Sequence, residues 1–259
     1  ISLGLVGSEM CIRDRRLLRG PVLVRQSDKP VRSTYDQRLL EHEADHDWNH
    51  ADPWRVLRIQ SEFVTGFDAL HELPPAVTVF GSARHPVGSP YYELGRTLGR
   101  KLVESQYAVI TGGGPGGMES ANRRPQEADG LSVGLGIELP KEQGINEYVD
   151  LGVNFRYFFA RKTMFLKYSQ AFVCLPGGFG TLDELFEVLC MVQTGKVTNY
   201  PIVLMGVDFW QPLVQWLTDR LVAEGMIAAD DLELFLLTDS VDEVVAHIMA
   251  VHQSMRERT

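Results

Sequence analysis

From Pro75 onward the apolar residues follow two alternating patterns. Short unbroken runs begin at Ala76 (AVTVF), Tyr107 (YAVIT), Leu131 (LSVGLGI), Ala171 (AFVCLP) and Pro201 (PIVLMG), and each stops near Gly or Pro. Between them lie longer stretches with helical spacing, such as Ser89 to Glu104, and an amphipathic segment from Val241 to Met255 closes the chain. Apolar runs that alternate with helices predict a mostly parallel sheet with helices on both faces, a three-layer α/β arrangement. Such sheets bind ligands where their strands end. The loops after Phe80, Thr111, Ile137, Leu175 and Met205 are therefore the places to look for chemistry.

The chain before Pro75 reads differently. In DPWRVLRIQSEFVTGFDALHEL, Asp52 is a candidate N-cap, Pro53 suits the first helical position, and Trp54, Val56, Leu57, Ile59, Phe63, Phe67 and Leu70 recur at nearly helical spacing. Residues 16–74 are expected to form a charged helical extension, a flexible lead followed by two helices, packed on a domain spanning residues 75–259. Within it, His42, His46 and His50 would share one stripe of a helix, which suits either a metal or a solvated face. Residues 1–15 stand apart: Leu5 to Asp14, LVGSEMCIRD, resembles the translation of a transposon adapter used in preparing sequencing libraries. The chain opens on Ile1 rather than Met, and Arg13, Arg15 and Arg16 follow the apolar stretch, the reverse of a secretory signal.

Charge and cysteine content narrow the partners. Acidic side chains outnumber basic ones, 34 to 25, for a net charge of −9, which disfavours non-specific binding to nucleic acid or an anionic membrane. No apolar run approaches the ~18 residues of a membrane span. Cys11, Cys174 and Cys190 lack metal-type spacing, so the expectation is free thiols in a reducing, cytoplasmic setting.

Three of the loops carry unusual residues. GSARHP follows the first strand, and there Gly81 permits close backbone approach while Ser82 and Arg84 offer polar groups. TGGGPGGMESANR places Gly113, Gly114 and their neighbours at a strand-to-helix junction. Its spacing is not a clean GxGxxG, and tight strand–helix packing explains the glycines as well as a ligand does. CLPGGFGTLDELFEVL says more. Gly177, Gly178, Phe179 and Gly180 bare the backbone N–H groups of a helix start, a site for phosphate, and Thr181 adds a hydroxyl. No Walker lysine is present. Glu184 reads either as a capping-box carboxylate or as a carboxylate held beside a bound phosphosugar.

PGGFGTLDE, with Arg161–Lys162 upstream, resembles the PGGxGTxxE and RK signatures of the LONELY GUY family, cytokinin riboside 5′-monophosphate phosphoribohydrolases long mislabelled as lysine decarboxylases. The similarity runs from about Ala76 to His252. It implies a Rossmann-like fold, a homodimer, no cofactor or metal, and hydrolysis of AMP or N6-substituted AMP to free base and ribose 5-phosphate. It also implies that Arg161 and Glu184 are catalytic, that Gly177 to Thr181 hold phosphate, and that Gly81, Ser82, Arg84, Gly113, Gly114, Glu142 and Lys162 bind substrate. Cleaving an N-glycosidic bond passes through an oxocarbenium-like state, which a carboxylate stabilises or to which it directs water. Arg161 suits electrostatic stabilisation and positioning, because guanidinium remains protonated.

Some residues depart from the family pattern. Arg124–Pro125 stands where relatives commonly continue Gly–Ala, and the proline is expected to end or kink its helix. Cys190 stands where many relatives carry Thr and reads as a small buried thiol. Phe155, Tyr157, Phe158 and Phe159 could stack on a purine or fill a core or dimer face. Two other function classes use related folds: a non-catalytic nucleotide or molybdenum-cofactor carrier, which has no need of the Arg161–Glu184 pair, and a nicotinamide-dependent dehydrogenase, which would rest on the Gly112–Gly117 turn alone.

Deleting residues 1–15 should leave the melting temperature and activity unchanged, because an adapter-derived stretch was never selected to pack. Thermal unfolding of the truncated chain checks this, and a large drop in Tm refutes it.

Overall fold

A computed structural model describes residues 16–19, 22–25, 34–40, 52–127, 130–139 and 144–256. The stretch 1–15, the histidines at 42, 46 and 50, and Glu142 lie outside the described residues. Nine strands and eight α-helices are described: β1 (Arg16–Arg19), β2 (Val22–Arg25), α1 (Tyr35–Leu40), α2 (Asp52–Leu70), β3 (Ala76–Phe80), α3 (Pro90–Glu104), β4 (Ala108–Thr111), α4 (Gly117–Glu127), β5 (Ser132–Ile137), β6 (Leu151–Phe155), α5 (Phe158–Tyr168), β7 (Phe172–Cys174), α6 (Phe179–Gln193), β8 (Ile202–Met205), α7 (Val207–Trp216), β9 (Phe235–Thr238) and α8 (Val241–Arg256). β1 and β2 pair antiparallel, where the sequence reads only a flexible lead.

The remaining seven strands form one sheet in the order β6-β5-β4-β3-β7-β8-β9. Every pairing in it is parallel. Side chains alternate across the strands. Val77, Val79, Val109 and Val173 face Leu98 and Leu102 of α3 and Val244 and Ile248 of α8. Phe80, Ile110, Leu135, Phe172 and Cys174 face the other way, toward Met164 and Phe165 of α5 and Leu185 and Val188 of α6. The result is the Rossmann-like three-layer fold that the alternating pattern and the resemblance point to.

Two strands escape the reading of apolar runs. β6 contains Gly152 and Asn154 and is partly exposed as an edge strand, so it has no unbroken apolar run. β9 is the opposite edge and is largely half-buried. A correction concerns Pro125, because α4 continues past it to Glu127. The proline removes the partner of the Ala121 carbonyl, and the described part of the helix runs two residues beyond it.

The sheet order contains one reversal. From β3 the chain builds outward through β4, β5 and β6, then crosses back to place β7 on the other side of β3. The loops leaving β3 and β7 therefore part in opposite directions and open a crevice at the carboxyl ends of adjacent strands. GSARHP and PGGFGT are those two loops.

Candidate functional site

Close backbone packing brings the three loops together. The Ser82 amide donates to the Pro176 carbonyl (3.1 Å), and the Gly117 amide donates to the Ser82 carbonyl (2.8 Å). The His85 ring bonds the same Pro176 carbonyl through Nε2 (2.7 Å). Gly116 has φ +67°, and a Cβ there would lie 2.5 Å from the Ser82 oxygen, so both conformation and space require glycine. Ser82 Oγ accepts from the Arg84 amide at 3.1 Å, which folds the loop on itself and leaves Arg84 exposed at the rim.

Beneath the Gly112–Gly117 turn lies a buried polar network. Thr111 Oγ1 accepts from the Gly113 amide (2.9 Å) and donates to Asn122 Oδ1 (2.6 Å). Asn122 Nδ2 donates to Ser132 Oγ (2.8 Å). Asn146 Nδ2 closes the network by reaching the Gly114 carbonyl (3.0 Å) and Asn122 Oδ1 (3.0 Å). These four side chains fix the turn against β4, α4 and β5, and sequence reading missed them. Their partners come from two strands, a helix and a loop, and the residue types alone do not reveal them.

Arg161 lies in the first turn of α5, beneath that turn, and is only 8% exposed. Its Nε donates to the Leu135 carbonyl at 2.7 Å. The guanidinium carbon stands 5.0 Å from the Phe165 ring centroid. A Cβ on Gly112 would lie 2.5 Å from its Nη2, so that glycine makes room for the guanidinium. Burial pushes Arg161 down to about 10, partly offset by the charge of Glu184, and it stays cationic at neutral pH.

Lys162, the next residue, turns away to α6. Its Nζ pairs with Asp183 Oδ2 at 2.9 Å and Glu187 Oε2 at 2.5 Å, which ties α5 to α6. Burial works against its charge, but those two hydrogen bonds and the nearby carboxylates outweigh it, and its pKa is raised.

Helix α6 starts at Gly178, which stands at the N-cap with no side-chain cap. A Cβ on Gly177 would collide with the Thr181 hydroxyl, whereas Gly178 and Gly180 border open space. Among the described residues the Gly178, Phe179 and Gly180 amides have no hydrogen-bond partner. Phe179 projects outward, 92% exposed, while Thr181 is buried. This is the uncapped glycine-rich helix start that the sequence predicts, and it suits an anion.

Glu184 lies in the second turn of α6, 4% exposed. A capping box would need it three residues after the N-cap, and it stands six after Gly178, so that alternative falls. Among the described residues no hydrogen bond reaches its carboxylate, and no ion pair within 4.0 Å joins it to Arg161. Burial raises Glu184 to about 7 against the pull of Arg161 and Lys162, with Glu187 and Asp183 adding to the rise. Its proton is therefore exchangeable near neutrality.

Cys190 is exposed on α6, contrary to the buried thiol expected. Phe155 and Tyr157 are buried in the core, whereas Phe158 and Phe159 remain substantially exposed. Among the described residues no cluster of three His, Cys, Asp or Glu side chains is placed to hold a metal. No helix among them is long and apolar enough to cross a membrane.

Residues 118–248 match a family model described as "possible lysine decarboxylase". The chain is 31% identical over 170 residues to a cytokinin riboside 5′-monophosphate phosphoribohydrolase of Oryza sativa subsp. japonica, covering 64% of this chain and 68% of the relative. It is 28% identical over 182 residues to the Rhodococcoides fascians protein of the same description, covering 68% and 89%. Among solved structures, the molybdenum cofactor carrier protein of Chlamydomonas reinhardtii is similar with a TM-score of 0.51 at 22% identity, covering 69% of this chain and 98% of that one, a likeness of fold alone.

Since burial favours neutral Glu184, its folded pKa of about 7 exceeds the ordinary 4.5, and stability falls as pH rises between those values. The value already includes the attraction of Arg161. Glu184→Gln, which mimics the neutral form, should raise Tm at pH 8 by at least about 2 °C, the scale of ~1 kcal/mol in a domain of this size, and change it little near pH 5. Thermal scans at both pH values decide the matter, and a Gln variant less stable at pH 8 contradicts it.

Proposed function

The chain belongs to the LONELY GUY family of phosphoribohydrolases, and from that premise we propose that it hydrolyses the N-glycosidic bond of AMP or an N6-substituted AMP, releasing the purine and ribose 5-phosphate. The observation that carries this reading is the pairing of a bare helix start with a buried carboxylate on one helix. The Gly178 to Gly180 amides would receive the 5′-phosphate, and Glu184, farther along α6, would face the ribose. The Thr181 hydroxyl supplements the amides.

The proposed chemistry is a displacement at C1′. The C1′–N9 electron pair leaves with the base while positive charge develops on the sugar, and a carboxylate nearby stabilises that charge. Water bonds C1′ and gives a proton to Glu184, whose pKa near 7 suits that acceptance. Arg161 stays charged and directs N–H donors at negative charge on the departing purine, which takes up a proton from solvent, balanced by the one that Glu184 then returns to solvent. Gly81, Ser82 and Arg84 on one side of the crevice, and Gly113 and Gly114 on the other, would bound the nucleotide. Lys162 contributes by holding α6 to α5.

The same reading makes the protein a cytoplasmic homodimer without a cofactor. Phe158, Phe159 and Phe186, exposed on α5 and α6, support a face covered by a second copy.

Purified protein should release adenine from AMP and act far less well on adenosine, which leaves the phosphate site empty. Glu184→Gln should lower kcat by at least ~100-fold, the scale of one positioned electrostatic group, with AMP still bound. Thr181→Ala should chiefly raise KM, by roughly fivefold for ~1 kcal/mol of lost phosphate contact. Chromatography of the products checks all three. Tight AMP binding without base release from AMP or N6-isopentenyl-AMP would favour a carrier, and near-normal turnover of Glu184→Gln would remove the catalytic assignment.

A further inference from the structure

Helix α5 carries Arg161 but does not cap itself. Tyr157 stands at its N-cap position, and its side chain makes no capping bond. The leading amides are instead met from the N-terminal extension. Glu62 of α2 accepts from the Arg156 amide at 2.9 Å with one carboxylate oxygen and from the Tyr157 amide at 3.2 Å with the other. Asp36 of α1 accepts from the Phe158 amide at 3.3 Å. Orphan amides at a helix start, with their partial positive charge, favour carboxylates in this way.

Other contacts hold the carboxylate in place. Arg156 Nη1 lies 3.6 Å from Glu62 Oε1. The guanidinium groups of Arg156 and Arg58 rest against the Tyr35 ring, at 5.0 and 5.7 Å from its centroid. Glu62 is 5% exposed, too deep to be an incidental surface contact. One further bond links this cap to the site: the Arg161 amide donates to the Tyr157 carbonyl at 3.3 Å. Glu62 thus holds the amide of Tyr157, the residue whose carbonyl begins the turn in which Arg161 sits, while Asp36 holds the Phe158 amide of that carbonyl's own peptide unit.

We propose that Glu62 is a positioning residue for Arg161, and that the N-terminal extension is part of the catalytic apparatus because it supplies the missing cap of α5. A first helical turn without its cap frays, and fraying here would swing the guanidinium off the Leu135 carbonyl. The kinetic part of this inference rests on the phosphoribohydrolase reading, and the structural part does not.

The test uses the full-length chain with Glu62→Ala and Glu62→Gln, the latter able to accept only one of the two amides. Hydrogen exchange should accelerate at residues 156–161 and stay unchanged at β8, more strongly for Ala than for Gln. With AMP, Glu62→Ala should lower kcat roughly tenfold, the scale of a lost helix cap, with KM within about twofold. In an Arg161→Lys background the same change should lower kcat by less than about twofold, because residues acting through one another are non-additive. Unchanged exchange at 156–161, a lowered Tm with unaltered kcat, or additive losses in the double variant each overturn the proposal. Should Glu62→Ala fail to fold, Glu62→Gln carries the same comparisons. If the wild type releases no base from AMP, the functional reading falls and the exchange measurement still decides whether Glu62 caps α5.

Discussion

A guanidinium that leaves water must be met by acceptors, by aromatic faces or by opposite charge, and Arg161 is met by one of each. The Leu135 carbonyl takes its Nε, the Phe165 ring lies beside it, and Glu184 acts on it through space. Much of the carboxyl edge of the sheet follows from that arrangement. Gly112 must lack a side chain because Nη2 lies where its Cβ would come. β5 must end in register with α5, so that a strand carbonyl meets a helical side chain. The Gly112–Gly117 turn, which roofs this cation, is in turn fastened by Thr111, Asn122, Ser132 and Asn146. A buried charge so placed is sensitive to displacement, since nothing in a low-dielectric interior replaces a lost partner.

The RK pair shows how adjacent cations take different tasks. Helical geometry turns consecutive side chains about 100° apart, so Arg161 runs beneath the Gly112–Gly117 turn while Lys162 faces the neighbouring helix. Lys162 bridges Asp183 and Glu187, the acidic residues on either side of Glu184 in α6. The single Lys162 charge offsets only part of theirs, so both still add to the rise at Glu184, and Glu184 alone of the three is buried. A substitution at Lys162 therefore acts on the site through the spacing of two helices and through the charge balance around Glu184.

Legibility in the sequence followed how local the constraint was. PGGFGT could be read because a glycine run after an apolar strand has a steric meaning within six residues, and the structure gives it that meaning. β3, β4, β5, β7 and β8 could be read because both faces of a central parallel strand are buried. β6 and β9 could not, because an edge strand lacks one neighbour and carries polar or half-buried positions. Asn122 and Asn146 were illegible for another reason: their partners come from separate segments, and the residue type alone does not distinguish a buried hub from a surface amide. Glu62 is the extreme case. Its hydrogen bonds span more than ninety residues of chain, and on its own helix it is one glutamate on an amphipathic surface.

Glu62 and Glu184 are both buried, and burial raises each to about 7, yet their surroundings differ. Glu62 accepts two backbone amides and lies beside Arg156, so its lone pairs are occupied and its position is fixed. Glu184 has no such donors among the described residues, only the more distant charges of Arg161 and Lys162. A carboxylate used to hold a helix has its hydrogen-bonding capacity consumed by the fold. In the proposed reaction Glu184 keeps that capacity for a substrate or a water molecule, since among the described residues nothing donates to it.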